Sequence, residues 1–167
     1  MATNEHSYSS SSLQGPSSSS PILQVQLPPG FHFIPHDWQL IMHYLFCRTH
    51  ELEPPEDINI PEINIYDHLP DDLKRNFYYG FEGDMYFYTR RKFIGERVER
   101  LVAGGRGFWK NTGKDDNIKI SKDIVGIKKA FAYREENGKH ATGWQMQEYR
   151  LKNTEADDVV LYKIYKN

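Results

Sequence analysis

The sequence predicts an α+β fold, a twisted antiparallel β-sheet packed between a few helices, and three observations carry that reading. From Asp84 onward the hydrophobic period is two, in segments rich in aromatic and β-branched residues and separated by Gly, Asp or Asn clusters. Helical patterning is confined to the residues before Asp84, so no β-α-β alternation asks for a parallel sheet. At 167 residues the chain has room for one well-formed core.

The elements follow in order. Residues 1–24 include nine serines before position 21, no aromatic after Tyr8, and scattered Pro and Gly. Such a stretch buries too little surface to offset its ordering entropy, and it reads as a disordered tail ahead of a domain spanning 25–167. In Leu27-Pro28-Pro29-Gly30-Phe31 the prolines extend the chain and the glycine permits a bend. His36-Asp37 offers an N-cap for a helix over 38–48, on which Trp38, Ile41 and Leu45 form one stripe. Pro54-Pro55 ends it. INIPEINIY, Ile58 to Tyr66, reads as short extended pieces broken at Pro61, and Pro70-Asp71-Asp72-Leu73 starts a second short helix. The expected strands are DMYFYTRRKF, RGFWKN, DIVGIKKAFAYRE, GWQMQEYRLK and VVLYKIYK. In the third, Val125, Ile127, Phe131 and Tyr133 share a face opposite Gly126, Lys128, Ala130 and Ala132, and the two early helices are expected to cover the first face.

Several function classes fall away. The longest apolar run is far short of the ~20 residues a membrane helix needs, and no apolar leader precedes a cleavage site. Cys47 is the sole cysteine, which rules out an internal disulfide and fits a reducing compartment. His43, Cys47 and His50, with His36 upstream, form a row along one helix face, whereas structural zinc takes four ligands in a tetrahedron. No metal or cofactor is expected. The chain has no Gly-x-Ser-x-Gly elbow, phosphate-binding loop or His-Glu-x-x-His motif, and its paired carboxylates (Asp71/Asp72, Asp115/Asp116, Asp157/Asp158) are sequence neighbours that read as turn residues. The expectation is therefore a binding protein rather than an enzyme.

The net charge of −2 conceals an asymmetry. Residues 1–87 carry 3 Lys/Arg against 12 Asp/Glu, residues 88–129 carry 12 against 5, and residues 130–167 carry 6 of each. A basic block inside an acidic chain is a directed field suited to a polyanion. At its centre lies GGRGFWKNTGK, residues 104–114, with four glycines and three cations. Arg106, Lys110 and Lys114 recur every fourth residue, but the glycines make a helix costly. An extended edge whose cations meet phosphates while tip residues meet bases suits double-stranded DNA. A glycine-loosened hairpin with core aromatics and solvated lysines is the plain alternative.

LPPGFHFIPHDWQLIMHYL resembles the LPPGFRFxPTDEELxxxYL opening of the NAC domain, a plant transcription-factor module. INIPEINIY, DMYFYTRRKF, RGFWKNTGKDD, VGIKKAFAY, GWQMQEYRL and VVLYKIYK are similar to later NAC blocks, in family order, over about residues 27–166. The resemblance implies a nuclear, sequence-specific DNA-binding domain that dimerises with itself or with other NAC proteins. It places Trp109, Lys110, Asn111, Thr112, Gly113 and Lys114 on the strand entering the major groove, and Lys128 and Lys129 on the basic VGIKK strand. Asn111 replaces the usual Ala, and Asp116 stands where Lys is frequent. Val102 stands where an Arg is common, which leaves Arg97, Arg100 and Arg106 as the nearby cations. Dimerisation is implied for Leu27, Pro28, Gly30, Phe31, His32 and Gln39, with His32 and Gln39 replacing an intersubunit Arg–Glu pair. A His–Gln hydrogen bond is weaker than a charge-assisted one, so a weaker dimer or altered partner preference is expected. The family's regulatory region after the domain is expected to be missing, or the chain to be a fragment. The second reading is an interaction module that has lost DNA affinity and heterodimerises with intact members.

Overall fold

The computed structural model describes residues 29–53, 58–77, 83–155 and 158–167. The serine-rich stretch, Leu27, Pro28 and the Pro54-Pro55 pair lie outside them.

Helix α1 is continuous from Asp37 to Thr49, α-helical over Asp37–Gln39 and Phe46–Thr49 and π-helical over Leu40–Leu45. No Gly or Pro interrupts it. His36 caps it in an extended conformation, and its N–H donates to Gln39 Oε1 at 2.8 Å, satisfying one exposed donor of the helix start. In the π segment the Phe46 N–H reaches back to Ile41 O. The side chains of His43, Cys47 and His50 each have a separate neighbour. His43 meets the edge of Trp38, His50 stacks on Phe46, and Cys47 Sγ faces Met42 O at 3.8 Å. Among the described residues no three His, Cys, Asp or Glu come together to hold a metal ion.

A 3₁₀ turn at Ile65–Asp67 is capped by Asn64, whose Oδ1 accepts the Tyr66 N–H at 3.2 Å. Helix α2, Pro70–Phe77, begins on proline, carries Asp71 and Asp72 in its first turn, and buries Leu73. No helix among the described residues is long and apolar enough to cross a membrane.

The strands are β1 (Met85–Arg90), β2 (Phe93–Ile94), β3 (Arg97–Val98), β4 (Leu101–Val102), β5 (Gly107–Asn111), β6 (Asp116–Ile120), β7 (Asp123–Glu135), β8 (Ala141–Leu151) and β9 (Val159–Lys166). Seven form an antiparallel sheet in the order β1-β9-β8-β7-β5-β4, with β6 also on β7, while β2 and β3 make a separate hairpin. The sheet expected from the period-two segments is thus present. Residues 61–63 run beside β1, with Tyr88 N–H donating to Pro61 O and Ile63 N–H to Tyr88 O, each at 2.9 Å. This covers an edge that would otherwise offer itself for pairing.

The covering helices differ from the expectation, because they lie on opposite faces. Phe131 and Tyr133 pack with Ile65, Tyr66, Leu73 and Trp144, while α1 residues Leu40, Ile41, Tyr44 and Leu45 pack with Tyr86, Tyr88, Tyr149 and Leu161. Val125 joins the α1 cluster rather than that of Phe131. Glycine explains the close approach of α1. A Cβ at Gly126 would stand 2.6 Å from both Ile41 Cδ1 and the Arg150 carbonyl oxygen. Gly126→Ala is therefore expected to destabilise the domain by about 1–3 kcal/mol, lowering Tm by roughly 2–4 °C per kcal/mol. Gly113→Ala has open space around the new methyl and is the control, expected within about 0.5 kcal/mol of wild type in the same thermal unfolding. Equal losses at the two positions would refute the packing argument.

Candidate nucleic-acid interface

Strand β7 is long enough to hold two partners end to end along one side. β5 pairs with its second half, from Gly107↔Glu135 to Asn111↔Phe131, and β6 with its first half, from Asp116↔Lys128 to Ile120↔Asp123. Between them residues 112–115 leave the ladder as a tip, held at its start by the Thr112 N–H donating to Ala130 O at 3.0 Å. Every residue from Lys110 to Asn117 is exposed.

Trp109 anchors this edge. Its indole is 2% exposed and meets Tyr133 edge-on, with ring centroids 5.3 Å apart. Gly107 makes room for that tyrosine, since a Cβ there would stand 2.1 Å from the Tyr133 hydroxyl. With Trp109 directed inward, the strand alternation turns Lys110 outward. Lys110, Lys114 and Lys119 make no ion pair with a described residue and stand exposed. Asn111 Oδ1 accepts the Gly113 N–H at 3.1 Å, so the amide that replaces alanine closes a turn at the tip.

The other expected DNA contacts are distributed elsewhere. Lys128 Nζ lies 2.6 Å from Asp37 Oδ2, and Tyr149 donates to Asp37 Oδ1 at 2.7 Å. Burial pushes the Asp37 carboxyl up, but these bonds more than reverse it and hold the group below its ordinary value. Lys129 Nζ lies 3.4 Å from Asp115 Oδ2, and Arg150 Nη2 lies 3.9 Å from the same oxygen. Arg97 is exposed on the separate hairpin. Arg106 is at the far end of β5 from Lys110, in a 310 Å³ hollow shared with Asp71, Glu135 and Glu136.

Arg100 sits in the protein's interior network. Its Nη1 donates to Glu148 Oε2 and to the Tyr66 hydroxyl, each at 2.5 Å, and the guanidinium lies over Phe131 at 4.4 Å. The Tyr162 hydroxyl donates to the same Glu148 oxygen at 2.7 Å, and Arg150 Nε lies 3.4 Å from Glu148 Oε1. Burial raises the Glu148 carboxyl, yet Arg100 and the other donors prevail and hold it low. Burial pushes Tyr66 up to about 12, so its hydroxyl stays protonated. The run of cations around Arg100 did not reveal this role. The available signal was Glu148 itself, which shares a strand face with Trp144 and Met146 and there requires a partner.

In the opening segment, Gly30 takes the left-handed φ of +87° that its bend requires. Phe31 and Ile34 are 69% and 74% exposed, and His32 is exposed beside them. Gln39 Oε1 is occupied by the helix cap.

The architecture is a curled antiparallel sheet in which the exposed run from Lys110 to Asn117 is backed by a buried tryptophan. The family model described as No apical meristem (NAM) protein matches residues 28–151. NAC domain-containing protein 30 of Arabidopsis thaliana is 34% identical over 142 residues, covering 80% of this chain and 43% of that protein. NAC domain-containing protein 2 of Solanum lycopersicum is 38% identical over 158 residues, covering 84% and 55%. NAC domain-containing protein 68 of Oryza sativa subsp. japonica is 40% identical over 137 residues, covering 77% and 41%. This chain belongs to the NAC domain family of plant transcription factors, as its sequence blocks implied. It spans about half or less of the length of these relatives.

Proposed function

We propose that residues 25–167 form a sequence-specific, double-stranded DNA-binding domain that acts in the nucleus and enters the major groove with the edge from Lys110 to Lys114. The observation that carries this reading is the outward run from Lys110 to Asn117, in which Lys110 and Lys114 have no ion pair with a described residue while Trp109 fixes the strand beneath them. An edge of this kind brings cations to phosphates and leaves small tip residues, Thr112 and Gly113, free to approach base edges. Selection from random duplex DNA at near-physiological salt tests it. Enrichment of one short motif is the expected result. Absence of enrichment, with co-purification of another NAC chain, would replace it with the interaction-module reading.

The exposed apolar pair Phe31 and Ile34, flanking His32, supports a dimer formed through the opening segment. Apolar contact takes the larger share there, because Gln39 Oε1 already serves the helix cap. Sedimentation at micromolar concentration is expected to show a monomer–dimer equilibrium that Phe31→Ser with Ile34→Ser shifts to monomer. Wild-type protein that stays monomeric with and without DNA would remove the dimer.

A further inference from the structure

Two side chains that the DNA-contact reading would place against bases or leave idle are engaged in holding the tip itself. Asn111 Oδ1 accepts the Gly113 N–H at 3.1 Å, which closes the first half of the tip. Asp115 closes the second half, with Lys129 Nζ at 3.4 Å and Arg150 Nη2 at 3.9 Å from the same carboxylate oxygen. At the start of the tip, the Thr112 N–H donates to Ala130 O at 3.0 Å. The turn from Asn111 to Asp115 is thus tied to the sheet at both ends and closed on itself by Asn111, although all five residues are exposed. Arg150 extends the second tie inward, since its Nε lies 3.4 Å from the buried Glu148.

We infer that Asn111 and Asp115 are positioning residues which hold the tip in its binding conformation before DNA arrives, and that Lys129 acts through Asp115 rather than on a phosphate. The inference rests on the DNA-edge reading above. It changes the role of Asn111: its side-chain oxygen is engaged in the turn instead of being aimed at a base. An exposed loop that must be ordered on binding loses affinity to the ordering entropy, and a loop already ordered avoids that loss. The two roles have different salt signatures. Removing a phosphate contact lowers the slope of log K against log salt, whereas loosening the tip weakens binding at constant slope.

The test joins two measurements on the whole chain. Amide exchange by NMR on the DNA-free protein is expected to show the Gly113 N–H protected. Asn111→Ala should accelerate its exchange about two- to tenfold, the equivalent of one lost hydrogen bond, while Asn111→Asp retains the acceptor and the protection. Asp115→Asn should speed exchange at Gly113 and Thr112 as the second tie loosens. In a fluorescence titration on the selected duplex, Asn111→Ala and Asp115→Asn should each weaken binding several-fold with the wild-type salt slope. A Gly113 amide that is unprotected in wild type overturns the inference. So does an Asp115→Asn variant that binds more tightly with a steeper slope, because Asp115 would then be screening Lys129 and Arg150 from phosphate. If the wild-type domain binds no duplex the DNA reading falls, and the exchange arm alone decides whether these side chains hold the turn.

Discussion

Arg100→Ala is expected to destabilise the domain by about 3–5 kcal/mol, the cost of leaving a buried carboxylate without its cation. Glu148 is 1% exposed and Arg100 19% exposed at the side chain, so water replaces little of what is lost. Arg150 Nε, 3.4 Å from the other carboxylate oxygen, offsets only part of the loss, because it makes no hydrogen bond to that oxygen. The pH dependence should change sense as well as size. In wild type the Glu148 pKa is lowered, so its contribution is complete above the ordinary carboxylate value of 4.5 and is lost as pH falls through the folded value. Without Arg100 the largest influence opposing burial is gone, and the Glu148 pKa is expected to rise. The variant's deficit should then shrink as pH falls from 7 toward 5, where the buried carboxyl takes up a proton. Urea unfolding at pH 7 and pH 5 measures both effects. A deficit below about 1 kcal/mol, or one independent of pH, would show that Glu148 does not depend on Arg100. Arg100→Met combined with Glu148→Leu should recover most of the loss, since an apolar pair needs no mutual neutralisation.

Lys110→Ala should weaken binding to every duplex by a similar factor and flatten the salt slope by about one unit, the signature of a single lost phosphate contact. Lys128→Ala should behave differently, although the NAC motif makes both lysines candidate contacts. Lys128 is 2.6 Å from Asp37, so its removal loosens α1 and lowers Tm while the slope stays near wild type. Titrations from about 50 to 200 mM salt, beside thermal unfolding, separate the pair. An unchanged slope for Lys110→Ala would remove it from the phosphate-contact set, and a flattened slope for Lys128→Ala would add that residue.

The contrast between these lysines shows what could be read from the chain alone. β1, β5, β7, β8 and β9 were legible because each is rich in aromatic and β-branched residues at a period near two, between Gly, Asp or Asn clusters. β6 was not, since Ile118 is its only buried residue and its edge position requires no apolar stripe. β4 is two residues long, too short to show a period. Lys110 as an outward cation followed from the resemblance, whereas the burial of Trp109 matches the core aromatics of the plainer hairpin reading. The carboxylate partners of Arg100, Lys128 and Lys129 could not be read in this way, because each comes from elsewhere in the chain. A cationic run shows where charge is concentrated, and only the fold shows which charges are already neutralised. The placement of the helices failed for a related reason. An apolar face calls for cover, but Gly126 admits Ile41 of α1 to close approach, and its small size, rather than hydrophobicity, was the signal.

The sheet order also constrains when the domain can exist. β9 is last in the chain but lies between β1 and β8, pairing Met85↔Ile164 on one side and Tyr149↔Leu161 on the other. It falls beyond the stretch matched by the family model, which ends at residue 151. During synthesis, β1 therefore waits beside a gap until β9 has cleared the ribosome, and closure joins residues about 70 to 80 positions apart. Pairing over such separations is slow compared with local hairpins. The ladders among β5, β6 and β7 need no residue of β9, but the sheet that carries them is completed only after β9 has been made.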